Sequence, residues 1–101
     1  MSVRNVTEAE FDGAVAKGTV VGDFWATWCG PCKMQGALID EKLVPSHPEI
    51  EVVKVDVDKE PGLAARFGVM SIPTLLFFRD GAKVGESVGL TKIDEILARL
   101  G

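Results

Sequence analysis

The chain has 101 residues, of which 47% are hydrophobic and 26% charged, with a formal net charge of −4. That length and balance suit one globular domain, residues 1–101, with a modest core that needs no structural metal or disulfide. The negative charge excludes attraction to nucleic acid or an anionic membrane surface, and no run of about 18 apolar residues is present to span a bilayer.

The N-terminal segment Met1-Ser2-Val3-Arg4-Asn5 leads into an amphipathic pattern and has no apolar signal core, so a cytoplasmic location is expected. Thr7-Glu8-Ala9-Glu10 is a capping-box sequence that predicts a helix to about Ala16, ended by Gly18. Residues 19–26 form a near-continuous apolar run, the pattern of a strand buried on both faces. One charge interrupts it, at Asp23.

Next comes Trp28-Cys29-Gly30-Pro31-Cys32-Lys33, which holds both cysteines of the chain. A C-x-x-C spacing serves either zinc or a small redox disulfide. Zinc needs two further ligands, and His47 is the sole histidine, lying in a loop between Pro45 and Pro48. The redox reading fits the context better, because Pro31 suits a first helical turn. A thiol placed there meets free backbone N–H groups and the positive end of the dipole, which favour thiolate. Cys29, ahead of that turn at an exposed site, is the expected attacking thiol. Cys32, shielded inside it, is the resolving thiol.

The helix is expected to run from about Pro31 to Val44, stopped by Pro45 and Pro48. Glu51 to Asp58 is a second valine-rich strand, carrying Lys54 and Asp56. The two strands and the intervening helix make a right-handed parallel βαβ unit. Pro61 to Arg66 is a short helix closed by Gly68. Pro73 precedes an apolar strand from Thr74 to Phe78, and Asp80-Gly81 is a hairpin turn into a strand from Ala82 to Val88. Thr91 is expected to cap a last helix whose stripe is Ile93, Ile96, Leu97 and Leu100. The sum is an α/β fold, a mixed sheet with helices on both faces.

Read on the residues alone, Asp23 is either a strand-end carboxylate reaching water or a buried one whose pKa is raised by desolvation. Lys54 is a functional partner or a strand-edge surface charge. Pro73 is trans like most X–Pro bonds, or a special case.

Trp28 to Lys33 closely resembles the thioredoxin active site. The likeness extends through Asp23-Phe24-Trp25-Ala26, Lys54, Ile72-Pro73-Thr74 and Val88-Gly89. The resemblance implies a thioredoxin fold with a central sheet of four or five strands, the 19–26 strand in its middle. It implies that the chain is a protein-disulfide oxidoreductase and electron carrier, with Cys29 and Cys32 as a redox-active disulfide. Asp23 would be the buried proton acceptor for Cys32, with Lys54 beside it. Pro73 would be cis, with the Ile72 backbone free to pair with an extended substrate. Trp28, Gly30, Pro31, Ile72 and Gly89, with Leu90, would form an apolar docking surface. The expected partners are a thioredoxin reductase and disulfide-containing proteins. No cofactor or metal is expected, and the chain would be a monomer. The Gly30-Pro31 dipeptide, which lacks a histidine, points to a reductant and away from an isomerase or oxidase. A non-catalytic interaction module is the competing reading.

Two positions depart from the family pattern. Ala37, preceded by Gly36, stands where many thioredoxins carry a helix-kinking proline, which moves or softens the kink. Gly22 replaces the usual bulky apolar residue before Asp23, leaving space there or fitting a larger neighbour.

Overall fold

The computed structural model describes residues 3–101; Met1 and Ser2, the start of the expected domain and of the N-terminal segment, lie outside the described residues. Five strands form one mixed sheet in the order β1-β3-β2-β4-β5. They are β1 Val3–Asn5, β2 Thr19–Trp25, β3 Ile50–Asp56, β4 Thr74–Arg79 and β5 Ala82–Val88. The pairs β1–β3 and β2–β3 are parallel, whereas β2–β4 and β4–β5 are antiparallel. β2 is therefore the middle strand.

Its apolar run has the physical cause expected, since helices cover both faces. Val20 and Phe24 point to one side, where Phe11, Val53, Leu63 and Phe78 are buried. Val21 points to the other, among Ile39, Val52, Leu75, Phe77 and Ile96. Alternation thus sends Asp23 to the second side, because successive strand residues face opposite ways. Lys54 on β3 pairs in register with Asp23 and takes the same side.

Helix α1 (Glu8–Ala14) opens on the complete capping box: Glu10 N–H donates to Thr7 Oγ1, and Thr7 N–H donates to the Glu10 carboxylate. The helix stops two residues before the expected end, because Ala16 N–H turns to Gly13 O and Gly18 adopts φ +73°. The hairpin turn has Asp80 at φ +49° and Gly81 at φ +86°, two left-handed residues that match the twist of the flanking strands.

The active-site helix differs from its expected form. α2 covers Gly30–Leu38, then a π-helical turn spans Ile39–Leu43, and a last turn, α3, runs Val44–Ser46. Pro45 does not stop it. Val44 N–H reaches back five residues to Ile39 O, so Pro45 falls at the start of a new turn, where a missing N–H costs nothing. The irregularity sits at this π-turn, downstream of Gly36-Ala37.

Two further differences concern single features. β1 was not expected: three residues, mostly polar, have no readable period, and the ladder with β3 makes them a strand. Helix α4 (Pro61–Arg66) is as expected, but α5 (Ile93–Leu100) begins with Lys92, not Thr91, at its N-cap. The Thr91 side chain is taken up elsewhere, by Ser87 and Gly89. At Gly22 an added Cβ would meet Phe24 and Leu76 only at 3.6–3.8 Å, ordinary contact. The site has room for a small side chain.

Candidate active site: a cysteine pair at the head of a helix

Cys29 and Cys32 are joined as a disulfide with their Cα atoms 5.2 Å apart, within the span such a bond requires. Cys29 is the N-cap of α2, in an extended backbone conformation, and Cys32 N–H donates to Cys29 Sγ at 3.2 Å. The sulfur thus takes the place of an N-cap oxygen. In the reduced protein the same N–H would favour negative charge on Cys29.

Cys32 is shielded as expected, but the expected exposure of Cys29 does not hold in the oxidised pair. Their exposures are 5% and 3%. The bond folds both sulfurs onto Ala26, with Trp25, Val57 and Ile72 packed around them. Cys29 Sγ lies 3.9 Å from Ile72 O. The Ile72–Pro73 peptide is cis, and Pro73 is buried at the head of β4. The two segments, 43 residues apart in sequence at this contact, therefore meet at the sulfur.

Asp23 is fully buried, and neither carboxylate oxygen has a hydrogen-bond partner among the described residues. Burial raises its pKa above the ordinary carboxylate range, and the nearby Lys54 only partly opposes this. Lys54 Nζ stands 3.4 Å from Asp23 Oδ2 and is 18% exposed. The strand-edge reading of Lys54 is excluded, because β1 and β2 flank β3 on both sides. The ammonium also lies 5.4 Å from the centre of the Trp25 ring. A Cβ on Gly36 would come within 3.1 Å of that Nζ. Gly36 is one helical turn after Cys32 on the same helix face, so the ion pair lies under the active-site helix.

Around the disulfide is an open apolar surface. Trp28 is 69% exposed, and its Nε1–H donates to Asp58 Oδ2 at 2.8 Å. Gly30, Pro31 and Leu90 are exposed, while Ile72 and Gly89 are half-buried. Trp28 and Ile72, with Val57, Val69 and Met70, line a depression of about 170 Å³. Met70 and Met34, which sequence reasoning missed, are 96% and 58% exposed. Single methionines carry no periodic signal that marks them as surface. Asp58, also missed, had no cue beyond its charge. Among the described residues no cluster of three or more His, Cys, Asp or Glu side chains could hold a metal ion. His47 contacts Glu49 in its loop at 3.4 Å.

A family model described as Thioredoxin matches residues 2–101. The chain belongs to the thioredoxin family. Thioredoxin of Staphylococcus aureus is 46% identical over 89 residues, covering 88% of this chain and 86% of that protein. Among solved structures, Malassezia sympodialis thioredoxin superposes with a TM-score of 0.84 at 34% identity, covering 98% of this chain and 91% of the other. A mutant thioredoxin from Halobacterium salinarum gives 0.88 at 34% identity, covering 98% and 88%. Family membership and the bonded Cys29–Cys32 pair together make the chain a protein-disulfide oxidoreductase working by dithiol–disulfide exchange.

Proposed function

We propose that the chain, as a single domain of residues 1–101, is a monomeric cytoplasmic reductant of protein disulfides. The Cys29 thiolate attacks a substrate disulfide, forms a mixed disulfide and expels one substrate thiolate. Cys32 then attacks Cys29 Sγ, closes the bond within the chain and releases the second substrate thiolate. Asp23 accepts the Cys32 proton, so two electrons pass to the substrate, whose two released thiolates take up protons from Asp23 and from water. The two electrons reside in the cysteine pair, and no bound cofactor is needed. A thioredoxin reductase would return the pair to its dithiol form.

The observation that carries this reading is the Cys32 N–H aimed at Cys29 Sγ at a helix start. It selects Cys29 as the sulfur whose charge the backbone favours. The buried Asp23 carboxylate, whose oxygens accept no hydrogen bond among the described residues, lies on the side of the sheet that α2 covers and supports its role as proton acceptor. Lys54 would tune that carboxylate. Trp28, Gly30, Pro31, Ile72, Pro73 and Gly89 would receive the substrate as an extended strand, with the Ile72 backbone pairing to it. Main-chain pairing reads little sequence, in keeping with many protein substrates.

Insulin reduction by dithiothreitol tests the proposal. Catalytic amounts of the chain should accelerate it, and the potential of the couple should fall below that of glutathione. No acceleration over dithiothreitol alone would leave an interaction module as the better reading.

A further inference from the structure

Gln35 is fully buried on α2, on the face that also carries Cys32, Gly36 and Ile39. A side-chain amide in such a place is costly unless both of its halves are paired. They are. Gln35 Nε2–H donates to Thr91 O at 3.0 Å, and Gln35 Oε1 accepts from Thr91 N–H at 2.7 Å. The carboxamide thus serves the Thr91 peptide groups as a neighbouring strand would. Thr91 needs this, since it is buried in the connection between β5 and α5 and has no ladder partner there.

The pairing continues to the surface. Thr91 Oγ1–H donates to Gly89 O at 3.0 Å, so Ser87 Oγ is the donor in the 2.6 Å contact with Thr91 Oγ1. Gly89 N–H donates to Pro73 O at 2.8 Å. The active-site helix, the Gly89–Thr91 loop and the Pro73 loop are therefore tied by one chain of hydrogen bonds that passes through Gln35.

We infer that Gln35 is a positioning residue for protein-disulfide docking: its carboxamide holds the Gly89–Thr91 loop at a set height against the cysteine helix. The inference rests on the proposed function, because it concerns the surface that receives the substrate. Both hydrogen bonds of the Gln35 side chain go to the Thr91 backbone and neither to a cysteine sulfur. Its loss should weaken docking and leave the exchange step itself alone.

Two variants test it, Gln35→Met and Gln35→Glu. Gln35→Met fills the space and removes both bonds. The Thr91 amide should lose hydrogen-exchange protection by about tenfold or more, the scale of one buried hydrogen bond. KM for insulin should rise about as much, with kcat within about twofold. Gln35→Glu separates pairing from packing. A protonated carboxyl offers the same donor and acceptor as the amide, whereas an ionised one faces the Thr91 carbonyl with like charge. Thr91 protection in Gln35→Glu should therefore step down as pH rises through the carboxyl's pKa, a step absent from wild type and Gln35→Met. Should Gln35→Met not fold, the step in Gln35→Glu decides the pairing, and KM on its two sides decides the docking role. An unchanged KM in a variant whose Thr91 protection has fallen would overturn the inference alone. The absence of the step in Gln35→Glu would do the same. Wild-type protein that fails to reduce insulin would overturn the proposed function as well.

Discussion

Asp23 and Lys54 face each other across β2 and β3, a fully buried carboxylate 3.4 Å from the ammonium of a side chain that is 18% exposed. The pair is unequal. The Lys54 side chain is partly exposed, whereas both Asp23 oxygens are buried with no hydrogen-bond partner among the described residues.

Because burial outweighs Lys54, the folded-state pKa of Asp23 lies above its unfolded value of 3.8. In the window between the two, the native state binds the extra proton, so stability falls as pH rises through it. Below the unfolded pKa the penalty vanishes. Asp23→Asn should therefore be more stable than wild type at neutral pH, by on the order of 1–3 kcal/mol, and equal to it in acid. Thermal melts from pH 3 to 8 check this, and a gap that widens toward acid would sink it. Insulin turnover should meanwhile fall by about 10²-fold, the usual scale for a lost general base.

Cys32→Ser removes the resolving thiol and keeps the attacker. It should accumulate a mixed disulfide through Cys29 with an oxidised protein substrate, one substrate per chain by mass spectrometry. Cys29→Ser should accumulate none. Equal trapping by the two variants would reverse or abolish the assigned order.

Gly36→Ala sets two effects against each other. Helix propensity favours alanine by up to about 1 kcal/mol. The new Cβ would press within 3.1 Å of Lys54 Nζ, which is the end of a flexible chain and can retreat. A net gain below about 1 kcal/mol is expected by denaturant titration. As Lys54 withdraws from Asp23, its opposing effect weakens and the Asp23 pKa should rise further, moving the pH-stability transition upward. An unmoved transition would show that Lys54 had not been displaced, and one moved toward acid that it had been pressed closer to Asp23.

Trp28 combines an exposed ring with a hydrogen bond to Asp58. Trp28→Ala should lower kcat/KM for insulin by roughly 5- to 30-fold, about 1–2 kcal/mol of lost docking contact. Trp28→Phe keeps an apolar ring and loses only the bond, so most of the activity should remain. A similar loss in both variants would mean that the bond to Asp58, not the ring, matters.

Much of this architecture is legible in local features of the sequence. The capping box at Thr7, the apolar run at 19–26 (of which Thr19–Trp25 is the strand), the Asp80-Gly81 turn and the Cys29–Cys32 spacing are local signals, each set by residues a few positions apart. The errors also have local causes. Thr91 looks like an N-cap in sequence, but its hydroxyl goes to Ser87 and Gly89 instead. Pro45 looks like a helix stop, yet a π-turn just before it places it where no donor is needed.

What the chain settles by itself is therefore whatever depends on neighbours in sequence: the elements, their faces and the closeness of two thiols. Only the packed structure decides what depends on distant partners. That Lys54 is interior follows from the ladder with the three-residue β1. That Gln35 pairs with Thr91, 56 residues away, and that Ile72 reaches Cys29, follow from the sheet order. Burial and pairing are properties of proximity in space, and only the folded chain brings those groups together.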